Sequence, residues 1–233
     1  MREQQRGIVV AIDGPSGSGK STISRLVAGR LGLAYLDTGA MYRAAAWWCR
    51  RQGVDLADSA AVLEAVTALP LQIGTDPATE SIEVGGEDVS VVIRSTEIST
   101  VVSAVATNLD VRAEMRERQR AIIETARAGA GIVAEGRDIT TVIAPEAEVR
   151  ILLVADEQAR LARRAREVHG ADDDAALAAT RDQVLRRDAD DATVSSFHVA
   201  ADGVVTVDSS DLTLEETVAI VQDLVASARG VAS

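Results

Sequence analysis

The apolar positions of this chain fall into two textures. Short continuous runs at 8–12, 131–134 and Val149–Val154 alternate with longer segments in which apolar residues recur every three or four positions. Continuous runs of this length predict strands covered on both faces of a parallel sheet, and the wider spacing predicts helices. Strands are expected at 8–12, 34–36, 131–134, 149–154 and 203–207. Helices are expected at 20–31, 40–51, 59–69, 95–107, 111–128, 156–167, 173–187 and 213–228, with Ser59 and Asp110 as N-caps. Between 70 and 94 the texture changes: 71–73 and 81–84 alternate at period two, with turn signals at Gly74-Thr75-Asp76-Pro77 and Gly85-Gly86. This reads as a small antiparallel unit inserted in an α/β chain. The alternation of strands and helices predicts a three-layer, doubly wound parallel sheet. Ligands then collect at the carboxyl ends of the strands, where 13–22, 37–43 and 135–138 lie.

The 233 residues suggest one domain with an insertion, and 47% apolar with 26% charged residues is ordinary for a globular protein. The formal net charge of −12 argues against nucleic acid or an anionic membrane as partner. Aromatic residues make up 2%, so no stacking platform for single strands is expected. The polar stretch 1–6 and the short run after it do not fit a signal peptide, and no segment approaches the roughly 20 apolar residues of a membrane helix. A cytoplasmic protein is expected, and a monomer, since no long amphipathic seam stands out. Cys49 is the only cysteine; no intrachain disulfide is possible, and its apolar helical surroundings predict a buried thiol.

One stretch carries specific chemistry. Gly14-Pro15-Ser16-Gly17-Ser18-Gly19-Lys20-Ser21-Thr22 fits G-x-x-x-x-G-K-[ST] between an expected strand and an expected helix. Its glycines let successive N–H groups turn around an anion at a helix N-terminus. Lys20 would reach the outer phosphates of ATP, and the Ser21 hydroxyl would ligate Mg²⁺. Lys20 is also the only lysine in the chain. A compact ammonium on a flexible stem suits a phosphate, and everywhere else this sequence uses arginine.

Such a loop serves GTPases, ATPases and small-molecule kinases alike. The chain has no N-K-x-D, which disfavours guanine specificity. It offers instead arginines at strand ends and on late helices, as phosphoryl transfer requires. A kinase of a small acceptor is favoured, with a nucleotide-dependent ATPase switch as the alternative from another class.

The residues 14–22, Leu36-Asp37-Thr38-Gly39-Ala40-Met41-Tyr42-Arg43, Gly136-Arg137-Asp138 followed by Thr141, and Arg187-Asp188-Ala189-Asp190-Asp191 come in this order. Together they resemble the bacterial cytidylate kinases, P-loop nucleoside monophosphate kinases, over nearly the whole chain. The resemblance implies transfer of the ATP γ-phosphate to CMP or dCMP; another monophosphate or a shikimate-like acceptor is the nearest alternative. It implies a nucleoside monophosphate-binding region at 38–112, including the insertion, and a helical lid at 156–192. Thr38, Arg43 and Arg137 would hold the acceptor phosphate. Ser103, Arg112 and Asp138 would read the cytosine edge, a carboxylate accepting from N4 and a guanidinium donating to O2 or N3. Asp37 would orient Mg²⁺-bound water, although locally it reads equally well as a helix cap. Arg164 and Arg187 would be the lid arginines that act with Lys20 and Arg137 on the transferring group. Asp191 would contact the ribose. There the chain departs from the family pattern: Val194 stands where an arginine is usual, followed by Ser195-Ser196-Phe197-His198 rather than a Pro-Leu pair.

Overall fold

In the computed structural model, residues 6–170 and 173–231 are described. Ala171 and Asp172, within the expected lid, lie outside the described residues. Five parallel strands form the main sheet: β1 (Ile8–Asp13), β2 (Ala34–Asp37), β6 (Gly131–Gly136), β7 (Val149–Val154) and β8 (Val205–Asp208), in the order β2-β6-β1-β7-β8. Alternate residues of β1 enter separate cores. Ile8, Val10 and Ile12 pack with Val27 of α1 (Lys20–Leu31) and Val221 of α8 (Leu214–Val231). Val9 and Ala11 pack with Met41 and Ala45 of α2 (Thr38–Arg51), Val102 of α4 (Thr96–Ala106) and Met115 of α5 (Leu109–Arg127). Burial on both faces is why the run is continuously apolar, and it gives the expected three layers. Cys49 is buried in the second of these cores, as its surroundings predict.

The expected insertion is a three-stranded antiparallel sheet of β3 (Leu71–Ile73), β4 (Ile82–Val84) and β5 (Glu87–Asp88), with Gly85-Gly86 turning between the last two. Ile82 and Val84 point into the α2 core, and the Tyr35 N–H donates to the Thr75 carbonyl at 2.8 Å. A 3-10 turn, Val92–Arg94, then leads into α4.

Several boundaries differ from expectation for local reasons. Asn108, not Asp110, caps α5, its side chain accepting from the N–H groups of Asp110 and Val111 at 3.1 and 3.2 Å. Asp58, not Ser59, caps α3 (Ser59–Thr67), accepting from Ala60 and Ala61. In both cases an Asx side chain one or two residues upstream reaches the free N–H groups first. Two helices, α6 (Glu157–His169) and α7 (Asp174–Ala192), separate β7 from β8. The second runs five residues beyond the expected end and carries Asp188 and Asp191 on its last turns.

Candidate active site

Three strand ends form the floor. The register pairs Asp13 with Gly136 and Asp37 with Glu135, so the phosphate loop and the two other expected ligand-binding stretches emerge side by side. The buried carboxylate of Asp13 accepts the N–H groups of Ile139 and Thr140, each at 2.8 Å, and the Thr140 hydroxyl at 2.6 Å. It thereby fixes the single π-turn Ile139–Ile143 that follows β6.

The loop is packed at backbone distance on two sides. Gly14, at φ 154°, would place a Cβ 2.1 Å from the Leu153 carbonyl oxygen; Gly17, at φ 76°, would place one 2.4 Å from that of Arg160. Only glycine satisfies both the conformation and the contact. Gly19 precedes α1 without a side-chain cap, which leaves the first N–H groups of the helix for a ligand. The Lys20 ammonium donates to the Pro15 carbonyl at 2.8 Å. Burial, with Arg137 and Arg187 nearby, brings its pKa down to about 7 against the partial relief of Glu135 and Asp188.

Beside the loop, Asp37 caps α2 through Ala40 N–H at 2.8 Å and pairs with Arg43 at 2.8 Å and Arg94 at 3.4 Å. Burial opposes its ionisation, but Arg43, Arg94 and the Ala40 N–H together hold its pKa below the ordinary carboxylate value. The buried Glu135 accepts from the Tyr35 hydroxyl at 2.7 Å; burial and then Asp37 push its pKa up, with Lys20 and the nearby Ser21 hydroxyl opposing. The Thr38 hydroxyl donates to the Glu135 carbonyl at 2.7 Å.

Arg137 is the hub of the opposite wall. It donates to the Gly14 carbonyl, to Asp188 at 3.0 Å and to Asp191 at 2.9 Å, and its guanidinium lies 4.6 Å from the centre of the Phe197 ring. Asp188 also accepts the Ser16 N–H at 2.9 Å and pairs with Arg160, which donates to the Ser16 carbonyl at 2.9 Å. Arg187 lies 3.8 Å from Asp191, and its pKa falls to about 10 through burial and through Arg137 and Arg43. One cavity is lined by Lys20, Arg43, Arg94, Arg137, Arg164 and Arg187, with only Asp37 and Glu135 as carboxylates. In a chain of net charge −12, this is a local concentration of positive charge fit for several phosphates.

An adjoining cavity runs from Gly39 and Thr38 past Tyr42, Val102 and Ala106 to Arg112, Asp138 and Asp191. Arg112 is nine-tenths buried and pairs with Asp138; it also donates to the Ala106 carbonyl at 3.1 Å and the Ser195 hydroxyl at 2.9 Å. Ser195 therefore sits on Arg112 in the stretch that departs from the family pattern, next to a half-buried Val194. Ser103 is half-buried on α4, whose wall of this cavity is made by Val102 and Ala106 instead. Arg118 and Arg120, which share the arginine-rich helix with Arg112, are not simply solvated: they donate to the carbonyls of Leu69 and Val142 at 3.0 and 2.7 Å. A third hollow is lined by Gly17 and Gly19 of the loop together with Ile23, Arg163, Ser209, Leu212 and Leu214.

Arg94 and Glu80 carry no local pattern in the sequence, and Asp188 stands in the Arg187–Asp191 stretch without a role of its own. Arg160 and Arg163 crowd the first lid helix with Arg164 and Arg166, and the sequence does not say which of the four act. Among the described residues no group of three or more His, Cys, Asp and Glu side chains could hold a metal by itself. The donor set nevertheless suits Mg²⁺ brought in with phosphates: Ser21 and Glu135 present oxygens at the cavity, and such sites take one or two protein ligands and several waters. Asp37 has its oxygens on Ala40, Arg43 and Arg94, which suits contact through water rather than direct ligation.

The cytidylate kinase family profile matches residues 10–227. The cytidylate kinase of Nocardia farcinica is 50% identical over 217 residues, covering 91% of this chain and 90% of that protein. Those of Streptomyces avermitilis and Cutibacterium acnes are 44% and 46% identical, over 95% and 94% of this chain and 94% and 96% of theirs.

Proposed function

We propose that this chain, which belongs to the cytidylate kinase family and transfers the γ-phosphate of ATP to CMP or dCMP, holds its two nucleotides on either side of Arg137. The observation that carries this assignment is the Arg112–Asp138 pair, buried in a cavity that shares Gly39, Gly136, Arg137 and Arg187 with the phosphate cavity. A carboxylate and a guanidinium side by side match the N4 donor and the N3 and O2 acceptors of cytosine. Residues 38–112 then form the acceptor-binding region, with the acceptor phosphate against Thr38, Arg43 and Arg137. Asp191, on the cavity wall, serves the ribose, and Ser103 would serve the base from beside that wall, next to Val102 on α4.

ATP lies along residues 14–22, its phosphates on the loop N–H groups and Lys20, its base in the hollow between Ile23 and Leu212. Mg²⁺, when bound, draws charge from the β- and γ-phosphates; Ser21 would hold it, with Asp37 acting through water. The acceptor phosphate is already an anion, so no strong base is needed. An oxygen of that phosphate attacks the γ-phosphorus in line, the bond to the ADP oxygen breaks, and the CDP or dCDP product forms. Lys20, Arg137, Arg164 and Arg187 neutralise the charge on the transferring group, and residues 156–192 act as the lid that excludes water. We read the enzyme as a monomer acting on small molecules alone; the net charge of −12 opposes attraction to nucleic acid. No helix among the described residues is long and apolar enough to cross a membrane, and a cytoplasmic site of action fits the substrates.

The test is ADP release with ATP and a panel of CMP, dCMP, UMP, AMP and shikimate. CMP or dCMP should lead by at least tenfold in kcat/KM. A lead by UMP, AMP or shikimate would overturn the assignment of the Arg112–Asp138 cavity.

A further inference from the structure

The buried guanidinium of Arg112 is held from three directions. Nη2 donates to Oδ2 of Asp138 and to the Ser195 hydroxyl, the latter at 2.9 Å. Nη1 donates to the Ala106 carbonyl at 3.1 Å, and the Tyr42 ring lies 5.8 Å from the guanidinium in the wall of the same cavity. A guanidinium and a carboxylate left to themselves close bidentately, on two parallel N–H···O bonds. Here Ser195 and Ala106, on two other segments, fix the plane of the fork, and only one arm meets the carboxylate.

Ser195 stands in the stretch after α7, half-buried, where the chain departs from the family pattern. Val194, in the place of the usual arginine, brings neither charge nor side-chain acceptor; the hydroxyl beside it brings a neutral acceptor. The Ser195 N–H donates to the Asp191 carbonyl at 3.0 Å, so the end of α7 sets where that hydroxyl stands.

We propose that Ser195 is a positioning residue that sets the preference for cytosine over uracil, by keeping the Arg112–Asp138 pair one-armed. This rests on the reading above, in which that pair meets the base. While Ser195 holds Nη2, Oδ1 of Asp138 is left to accept the N4 amino group of cytosine. Without the hydroxyl, a buried N–H loses its acceptor, and leaving it unpaired is costly. The second oxygen of the same carboxylate supplies a replacement once the guanidinium turns, and the pair closes into a fork. Cytosine then loses the acceptor for N4. Uracil carries an acceptor oxygen at that position and meets less repulsion from a carboxylate so engaged.

The competing role is a staple, in which Ser195 merely fastens the stretch after α7 to α5. Steady-state kinetics with CMP, dCMP and UMP separates the two for Ser195→Ala and Ser195→Thr. For Ser195→Ala we expect the KM values for CMP and dCMP to rise together, kcat and the KM for ATP to hold within twofold, and the CMP-to-UMP ratio of kcat/KM to fall at least fivefold. Ser195→Thr, which keeps the hydroxyl, should retain most of the wild-type ratio. A smaller fall in Ser195→Ala, whatever the melting temperature does, would overturn the proposal in favour of the staple. So would a Ser195→Thr enzyme no more selective than Ser195→Ala. A loss for CMP with dCMP spared would move Ser195 to the ribose and overturn it as well. Where UMP turnover is too slow to time, the inhibition constant of UMP against CMP replaces it in the ratio. A wild-type protein that uses UMP as readily as CMP would sink the functional reading instead, an outcome visible before any variant is made.

Discussion

Asp188, near the end of α7, accepts the backbone N–H of Ser16 in the phosphate loop at 2.9 Å, across 172 positions of chain. The same carboxylate holds Arg137 and Arg160. One buried acid therefore joins the loop, the end of β6, α6 and α7. Asp188→Ala leaves two buried guanidinium groups short of a partner and should cost about 3 kcal/mol of stability. Asp188→Asn still accepts the Ser16 N–H and should cost less. Urea unfolding of the two variants measures the difference; equal midpoints would show that the charge of Asp188 contributes nothing.

Arg137→Ala should lower kcat on the order of 10³-fold, the scale of losing a cation at a transferring phosphoryl group. It should also destabilise the protein by about 3 kcal/mol, because Asp188 and Asp191 both lose a buried partner. From sequence alone the loss of activity is expected to far exceed the loss of stability; the four contacts of the side chain bring the two closer together. Activity and denaturation measured on one preparation resolve the two effects.

Gly17→Ala combines a left-handed φ of 76° with a Cβ that would stand 2.4 Å from the Arg160 carbonyl oxygen. Something in the backbone must move, either the loop or α6. We expect ATP affinity to fall at least tenfold with cytidine binding intact, by calorimetry. Equal weakening of both ligands would mean that the damage is global.

The lowered pKa of Lys20 has a definite sign. With the folded value about 7 and the ordinary value 10.5, the unfolded chain binds one more proton between those limits. Stability of the unliganded protein should therefore rise with pH across that window, to the extent that Lys20 controls it. Phosphates beside Lys20 favour the ammonium and reverse the shift. ATP binding at pH 8 should take up close to one proton, read by calorimetry in buffers of different ionisation enthalpy. Lys20→Met should abolish most of that uptake.

The frame of the site was legible because its signals are local. The loop needs consecutive residues, the parallel strands show as unbroken apolar runs, and the insertion shows as a change of period. Arg112 and Asp138 were legible only through resemblance: on local grounds Arg112 is one arginine among several on α5. Arg94, Glu80, Arg160 and Asp188 depend on pairings between distant segments, which no periodicity records. The caps were misplaced by one or two residues because neighbouring Asx side chains compete for the same N–H groups, and the winner depends on backbone angles. The stretch around Val194 was legible as a departure, but not that Ser195 would reach Arg112.

Lys20, the one lysine of the 233 residues, has its ammonium turned onto the Pro15 carbonyl within the phosphate cavity. An amine-acylating reagent, or a protease that cuts after lysine, therefore has a single side-chain target in the chain, and it lies at the centre of the chemistry. Acylation of Lys20, or cleavage of the Lys20–Ser21 bond, becomes a direct report on how often the loop opens, with no background from any other lysine. ATP should silence that signal at concentrations that saturate the enzyme.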